Sequence, residues 1–207
     1  MADVTIKEIK VVVGHAAAVL LAHKQHFTDL DQEIGDGDMG ITMAKIANVF
    51  LDLDALVEET SDVGKFLIAT GIAANRAASS TMGTLIATAL MRAGKEVQGK
   101  EALSEAEVAQ ILVAAVQGMQ DRGKAKLGDK TIIDALHPAA AAFQEIVDGG
   151  GDLSNAGKAA ASAAAQGRDA VTPLRSKIGR ASWVGERTEG KVDAGCEMAA
   201  IVLAAVV

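Results

Sequence analysis

The sequence predicts an all-helical fold, and three observations carry that expectation. Apolar residues recur every three or four positions through most of the chain, the spacing that gathers them on one face of an α-helix. Half of the 207 residues are apolar but only 2% are aromatic and none is tyrosine. Alanine dominates the remainder, which favours helix and lets helices pack closely through small side chains. Finally, no stretch alternates apolar and polar residues long enough to read as a strand. The length suits one domain with a substantial core, spanning residues 1–207 with no linker, repeat or low-complexity tail.

Taken in order, Ile6, Ile9, Val12, Val13, Ala16, Val19 and Leu20 form a helical stripe within a first helix from Thr5 to about Leu30. An acidic, glycine-bearing loop follows. Met43, Ile46, Phe50 and Leu53 then continue at helical spacing. Two more apolar helices are expected over about 63–78 and 83–92, separated by the small polar turn Ser79-Ser80-Thr81-Met82-Gly83-Thr84. Ser104 and Glu107 make a capping box that opens a helix through Val108, Ile111, Leu112, Ala115 and Met119. A charged loop, 123–130, precedes a helix over about 131–147 that contains Pro138. Gly149-Gly150-Gly151 ends it. An alanine-rich helix over about 154–166 comes next, then a long irregular stretch, 169–193, and a last helix over about 194–207. The tally is about eight helices. Irregular connections as long as 169–193 are usually functional.

The formal net charge is −7 and there is no long basic run, so neither nucleic acid nor an anionic membrane is an expected partner. One cysteine, Cys196, rules out an internal disulfide and suits a reducing cytosol. The start is charged and amphipathic, unlike a signal peptide, and the apolar run 198–207 is too short to span a bilayer. The expected location is the cytoplasm.

Chemistry concentrates in Leu30-Asp31-Gln32-Glu33-Ile34-Gly35-Asp36-Gly37-Asp38-Met39-Gly40-Ile41-Thr42. Asp31, Asp36 and Asp38 repel one another on so short a segment unless a cation sits among them. Oxygen ligands without Cys or His point to Mg²⁺ or Ca²⁺. The glycines alone fit a dinucleotide fingerprint, but the preceding residues read as helix rather than strand, and bare carboxylates repel a pyrophosphate. An EF-hand is excluded: counted from Asp36, position 6 is Ile41 and position 12 is Ala47. Two readings remain, a carboxylate cup that holds Mg²⁺ with phosphate oxygens, and an acidic solvated turn that caps the next helix.

Three other polar loops, 79–84, 123–131 and 179–195, interrupt the helices, and each alone reads as a connector. Arg180, Arg187 and Lys191 are cations able to offset phosphate charge. Gly128-Asp129-Lys130-Thr131 also reads as a helix start with Asp129 as cap and Lys130 solvated. No P-loop is present. His15, His23, His26 and His137 lack metalloprotease spacing, and Cys196 has no base near it in sequence. Trp183 either covers a ligand ring or fills one end of the fold.

Together, three runs resemble the L subunit of bacterial dihydroxyacetone kinases: residues 30–38, residues 128–136 (Gly-Asp-Lys-Thr-Ile-Ile-Asp-Ala-Leu) and residues 179–187 (Gly-Arg-Ala-Ser-Trp-Val-Gly-Glu-Arg). Length and helix number agree, so the resemblance covers essentially the whole chain. It implies an up-and-down barrel of about eight antiparallel helices with ADP or ATP and two Mg²⁺ at one end. Asp31, Asp36 and Asp38 would be the metal ligands. Met39, Gly40, Ile41 and Thr42, with Thr81, Met82 and Gly83, would wrap the phosphates, and Gly123, Ile132, Arg180, Asp193 and Ala194 would line the nucleotide. No side chain of this chain would act as catalyst. The ketose would sit on a histidine of a separate K-type subunit, and a phosphocarrier protein is a further candidate partner. The expected assembly is a homodimer or a hetero-complex. Met39, Thr42, Met82 and Ala194 stand where the family usually has His, Asn, Ser and Pro. Those departures keep two alternatives in play, a nucleotide-liganded regulatory module without catalysis and a related kinase for another short ketose or polyol.

Overall fold

A computed structural model describes residues 3–207. The described chain forms helices α1 (Ile6–Ala22), α2 (Lys24–Ile34), α3 (Met39–Leu51), α4 (Asp54–Glu59), α5 (Val63–Ala77), α6 (Thr81–Glu96) and α7 (Glu105–Gly123). They are followed by α8 (Ile133–Asp148), α9 (Leu153–Val171), α10 (Ala181–Val184) and α11 (Ala194–Ala205). The all-helical expectation holds. The one addition is a two-residue antiparallel pair, β1 (Val4–Thr5) with β2 (Ala102–Leu103).

The predicted first helix is two. The chain bends at His23, whose backbone leaves helical geometry (φ −100°, ψ 11°), and helix resumes through Ile34. Phe27, fully buried, anchors the second segment between the rings of His23 and His26, with centroids 6.0 and 5.9 Å from its own. Counting α1 and α2 as one bent rod, eight long helices remain. Each packs on the next: α1/α2 on α3, α3 on α5, then α5 to α9 in order, then α9 on α11, and α11 returns to α1 and α2. The ring closes, and its connections reverse the chain at each step. This is the up-and-down arrangement of a helical bundle, extended to eight members.

Alanine explains how eight helices fit together. Ala17, Ala47, Ala74, Ala109, Ala135 and Ala164 are fully buried, each placing only a methyl group between neighbouring backbones. The aromatic and long side chains fill the axis, with Phe27, Met43, Ile46 and Phe143 in the main cluster. A second cluster around Leu53, Val63, Phe66, Val97 and Leu103 fills the end that carries the β1–β2 pair. Two capping boxes start helices here, Thr5 with Glu8 and Ser104 with Glu107. Pro138 lies inside α8 without ending it. None of the described helices is long and apolar enough to cross a membrane.

Candidate metal and phosphate site

Because the helices alternate in direction, every second connection falls on the same end. The four that do so are α2–α3, α5–α6, α7–α8 and α9–α11, and they carry the four polar loops of the sequence. They enclose a cleft of about 300 Å³. The residues predicted from separate loops meet there. Asp31, Asp36, Asp38, Met39, Thr81, Met82, Gly123, Ile132, Arg180, Asp193 and Ala194 all line it.

The acidic loop is shorter than its composition implies. Asp31 belongs to the last turn of α2 and residues 39–42 form the first turn of α3, so only residues 35–38 are irregular. Gly37 adopts φ +72°, a left-handed conformation that costs glycine nothing and permits this abrupt reversal. Asp31, half-buried, also accepts the Met39 amide at 3.1 Å and so ties the end of α2 to the start of α3. Ligand oxygens of Asp31, Asp36 and Asp38 all lie within 4.8 Å of one another. This set of hard oxygen donors, two of them exposed, suits an octahedral Mg²⁺ that keeps part of its shell for water or phosphate.

Opposite the carboxylates, helix N-termini face the cleft. Asp38 caps α3 through its backbone only, accepting the Thr42 amide at 2.9 Å; with the Met39 amide held by Asp31, the Gly40 and Ile41 amides are those of this turn with no capping side chain. Ser80 caps α6 by accepting from the Gly83 amide at 3.1 Å, and the Thr42 hydroxyl donates to the Ser80 hydroxyl at 3.3 Å. Asp193 caps α11, accepting from the Cys196 amide at 2.8 Å. Unpaired amides and the positive end of a helix dipole attract anions.

Four predicted phosphate-turn residues do not reach the cleft surface. Gly40 is buried because α3 presses on α2 there: a Cβ would stand 2.1 Å from the Lys24 carbonyl oxygen. Ile41 is 51% exposed on the outer side of α3. Thr42 is buried and serves as the tie to Ser80. Gly83 lies against the Ala78 carbonyl.

The connection after α9 runs from Thr172 to Asp193 and includes α10 and a single 3₁₀ turn, Gly185–Thr188. From it Arg180 reaches across the cleft to pair with Asp36, and Lys191 pairs with Glu33 at 2.8 Å. Burial raises the Asp193 carboxyl to about 6. Burial also pushes the Cys196 thiol well above its ordinary range, and its Sγ donates to the Thr131 carbonyl, so this cysteine is a packing residue. Trp183 is 87% exposed; it neither lies over the cleft nor fills the barrel end.

Two residues of the α7–α8 connection differ from expectation. Asp129 does not cap α8; its carboxylate accepts the Lys126 amide at 2.8 Å. The carboxylate that orders this loop is Asp134, which accepts from the Gly128 and Thr131 amides. Its position three residues after Thr131, on the buried face of α8, was the available signal. Lys130 is not solvated but 1% exposed, a burial with no local sequence signal.

A closed ring of helices with a carboxylate trio and several helix N-termini gathered at one end is a receptacle suited to a divalent cation and a polyanion. Family comparison agrees with that class. The DAK2 domain model matches residues 33–207, starting just after Asp31, and the chain belongs to this family. It is 32% identical over 187 residues to the ADP-binding subunit DhaL of PEP-dependent dihydroxyacetone kinase 2 from Listeria innocua, covering 90% of this chain and 86% of that one. It is 30% identical to the corresponding Escherichia coli subunit, covering 86% and 84%. Among solved structures, the dihydroxyacetone kinase of C. freundii in its native form superposes with a TM-score of 0.74 at 26% identity. That match covers 95% of this chain and 33% of the larger enzyme.

Proposed function

We propose that the chain is the nucleotide-binding, phosphoryl-donor subunit of a dihydroxyacetone kinase. It holds ADP or ATP with Mg²⁺ and passes the terminal phosphoryl group to a short ketose carried by a separate K-type subunit. The observation that carries this reading is the carboxylate trio, with oxygens within 4.8 Å, set beside the first turns of α3 and α6. The relatives named as ADP-binding subunits support it.

Asp31, Asp36 and Asp38 would hold Mg²⁺, two ions where the phosphates supply the remaining ligands. Bound there, the metal would supply positive charge to offset that of the phosphates. The chain's own contribution is position. The start of α6, where Thr81 and Met82 line the cleft, receives phosphate oxygens, Arg180 supplies a bidentate cation, and Met82, Ile132 and Ala194 give the nucleotide an apolar wall. Phosphoryl transfer asks for placement and charge compensation more than for a protein nucleophile. The buried, non-acidic Cys196 fits that absence. Recharging of bound ADP by a phosphocarrier protein, without nucleotide exchange, is compatible with an open cleft mouth.

Mass spectrometry of freshly purified protein under native conditions tests the reading. ADP and two Mg²⁺ should travel with the chain, and Asp36→Asn should lose them. An Asp36→Asn protein that keeps ADP as tightly as the parent would reject the assignment.

A further inference from the structure

Lys130 stands apart from every other lysine in the chain. It is 1% exposed, and its backbone adopts φ +61°, an uncommon conformation for a residue with a side chain. Outliers of this kind persist where the surroundings over-determine them. Its ammonium has three protons, and each finds a backbone carbonyl: Thr172 at 2.8 Å, Leu174 at 2.9 Å and Thr188 at 2.5 Å. Burial lowers its affinity for a proton, and the charge that most opposes that effect is Asp193.

Those carbonyls lie on both legs of one excursion of the chain. Thr172 and Leu174 leave α9, and Thr188 returns toward α11. Further bonds close the same base: the Gly190 amide donates to the Thr172 carbonyl at 3.0 Å and the Ser176 amide to the Thr188 hydroxyl at 3.0 Å. Beyond this grip, residues 177–187 form a strap with local bonds such as the Ser182 amide and hydroxyl to the Gly179 carbonyl, and the Lys177 amide donates to the Asp129 carbonyl at 3.0 Å beside Lys130. Arg180 sits on that strap and reaches Asp36.

We propose that Lys130 is a positioning residue, whose ammonium clamps the two legs of the 172–190 strap together and thereby holds Arg180 over the acidic cup. It acts through Arg180 and does not touch the nucleotide's reacting atoms. A neutral side chain removes the one donor that all three carbonyls share: Leu174 is left without its donor, while Thr172 and Thr188 keep only the Gly190 and Lys191 amides, so the legs loosen and Arg180 loses its fixed origin. The Lys130 role rests on the nucleotide reading only in its binding consequence; the clamp itself is a property of the free protein.

The test has two arms. Hydrogen exchange on the nucleotide-free chain compares the parent with Lys130→Met. Exchange should rise at least about tenfold in residues 172–190 and stay unchanged in α5 and α6. In the second arm, Mg²⁺–ADP affinity is measured in a double-mutant cycle with Arg180→Gln. Lys130→Met should weaken binding by about tenfold in the parent and have little effect once Arg180 is gone, because both changes remove one contribution. A loss that simply adds to that of Arg180→Gln, or a strap whose exchange does not change, overturns the proposal. Should Lys130→Met fail to fold, Lys130→Gln, one atom shorter and carrying a neutral donor group, serves both arms. A parent protein that does not bind Mg²⁺–ADP refutes the nucleotide function, while the exchange arm still decides the clamp.

Discussion

Replacing Asp193 by Asn should make the nucleotide-free protein more stable at pH 7 and leave it unchanged near pH 4. Burial is the largest cause of the raised Asp193 carboxyl, with Asp134 adding to it; the Cys196 amide and Lys130 oppose it without cancelling it. A shift from 3.8 to about 6 corresponds to about 3 kcal/mol between the two protonation states. The folded pKa lies above the unfolded one, so between these values the native state binds more protons than the unfolded chain. Stability therefore falls as pH rises from about 4 to about 6 and stays low above that. Asn carries no charge to desolvate and remains a good cap for α11. The side chain keeps some contact with water, and its loss removes a favourable partner of Lys130, so the net gain at pH 7 should be nearer 1–2 kcal/mol. For a chain of this size that is about 2–8 °C in melting temperature. Urea or thermal denaturation in EDTA at pH 4, 5, 6 and 7 reads it directly. An Asn variant that is less stable at pH 7, or whose gain persists undiminished at pH 4, would refute the reasoning.

Three further outcomes follow from packing. Phe27→Ala removes a fully buried ring from the main core and should cost about 3–5 kcal/mol by urea denaturation. Gly40→Ala brings a methyl group to 2.1 Å from the Lys24 carbonyl oxygen and 2.2 Å from the Thr28 hydroxyl. It should destabilise by about 1–3 kcal/mol and also weaken Mg²⁺–ADP binding, because the first turn of α3 must move. Trp183→Ala should change stability by less than about 0.5 kcal/mol and leave ADP affinity intact, since the ring is 87% exposed. Calorimetry and nucleotide titration of these two variants distinguish a displaced helix from an untouched site.

How much was readable in advance depended on whether the deciding contact was local. The helices were legible because their apolar period is, and the Ser104–Glu107 box marked the start of α7 to the residue. The break at His23 was not, since neither glycine nor proline marks it. Charge and glycine made 30–42 look like one long loop, yet tertiary packing of Ile34, Met39 and Gly40 drives both ends of it into helix. The three aspartates stood out because their crowding is a local fact. Lys130 was misread for the opposite reason. Its acceptors lie 42, 44 and 58 residues away, and a lysine in a polar loop is ordinarily solvated.

Parity turns four separate connectors into one site. In a ring of alternating helices, connections one, three, five and seven necessarily share an end, and so do the starts of α3, α6, α8 and α11 that follow them. Those starts place backbone amides around the cleft, beside the C-termini of α2, α5, α7 and α9, so the amides act locally and not as one summed field. A chain of net charge −7 then sets three carboxylates in the same place, alongside Asp193 and few cations. Neither sign alone recruits the other's ligand: carboxylates repel phosphate, and amides repel metal. A metal–polyphosphate complex satisfies both at once, and Arg180, held on its strap, spans the boundary between them. The opposite end shares the ring but closes over the apolar cluster of Leu53, Phe66 and Leu103, and among the described residues the only carboxylate group able to hold a metal ion is the trio at this mouth. The asymmetry between the two ends, more than any one motif, singles out this mouth as the candidate site.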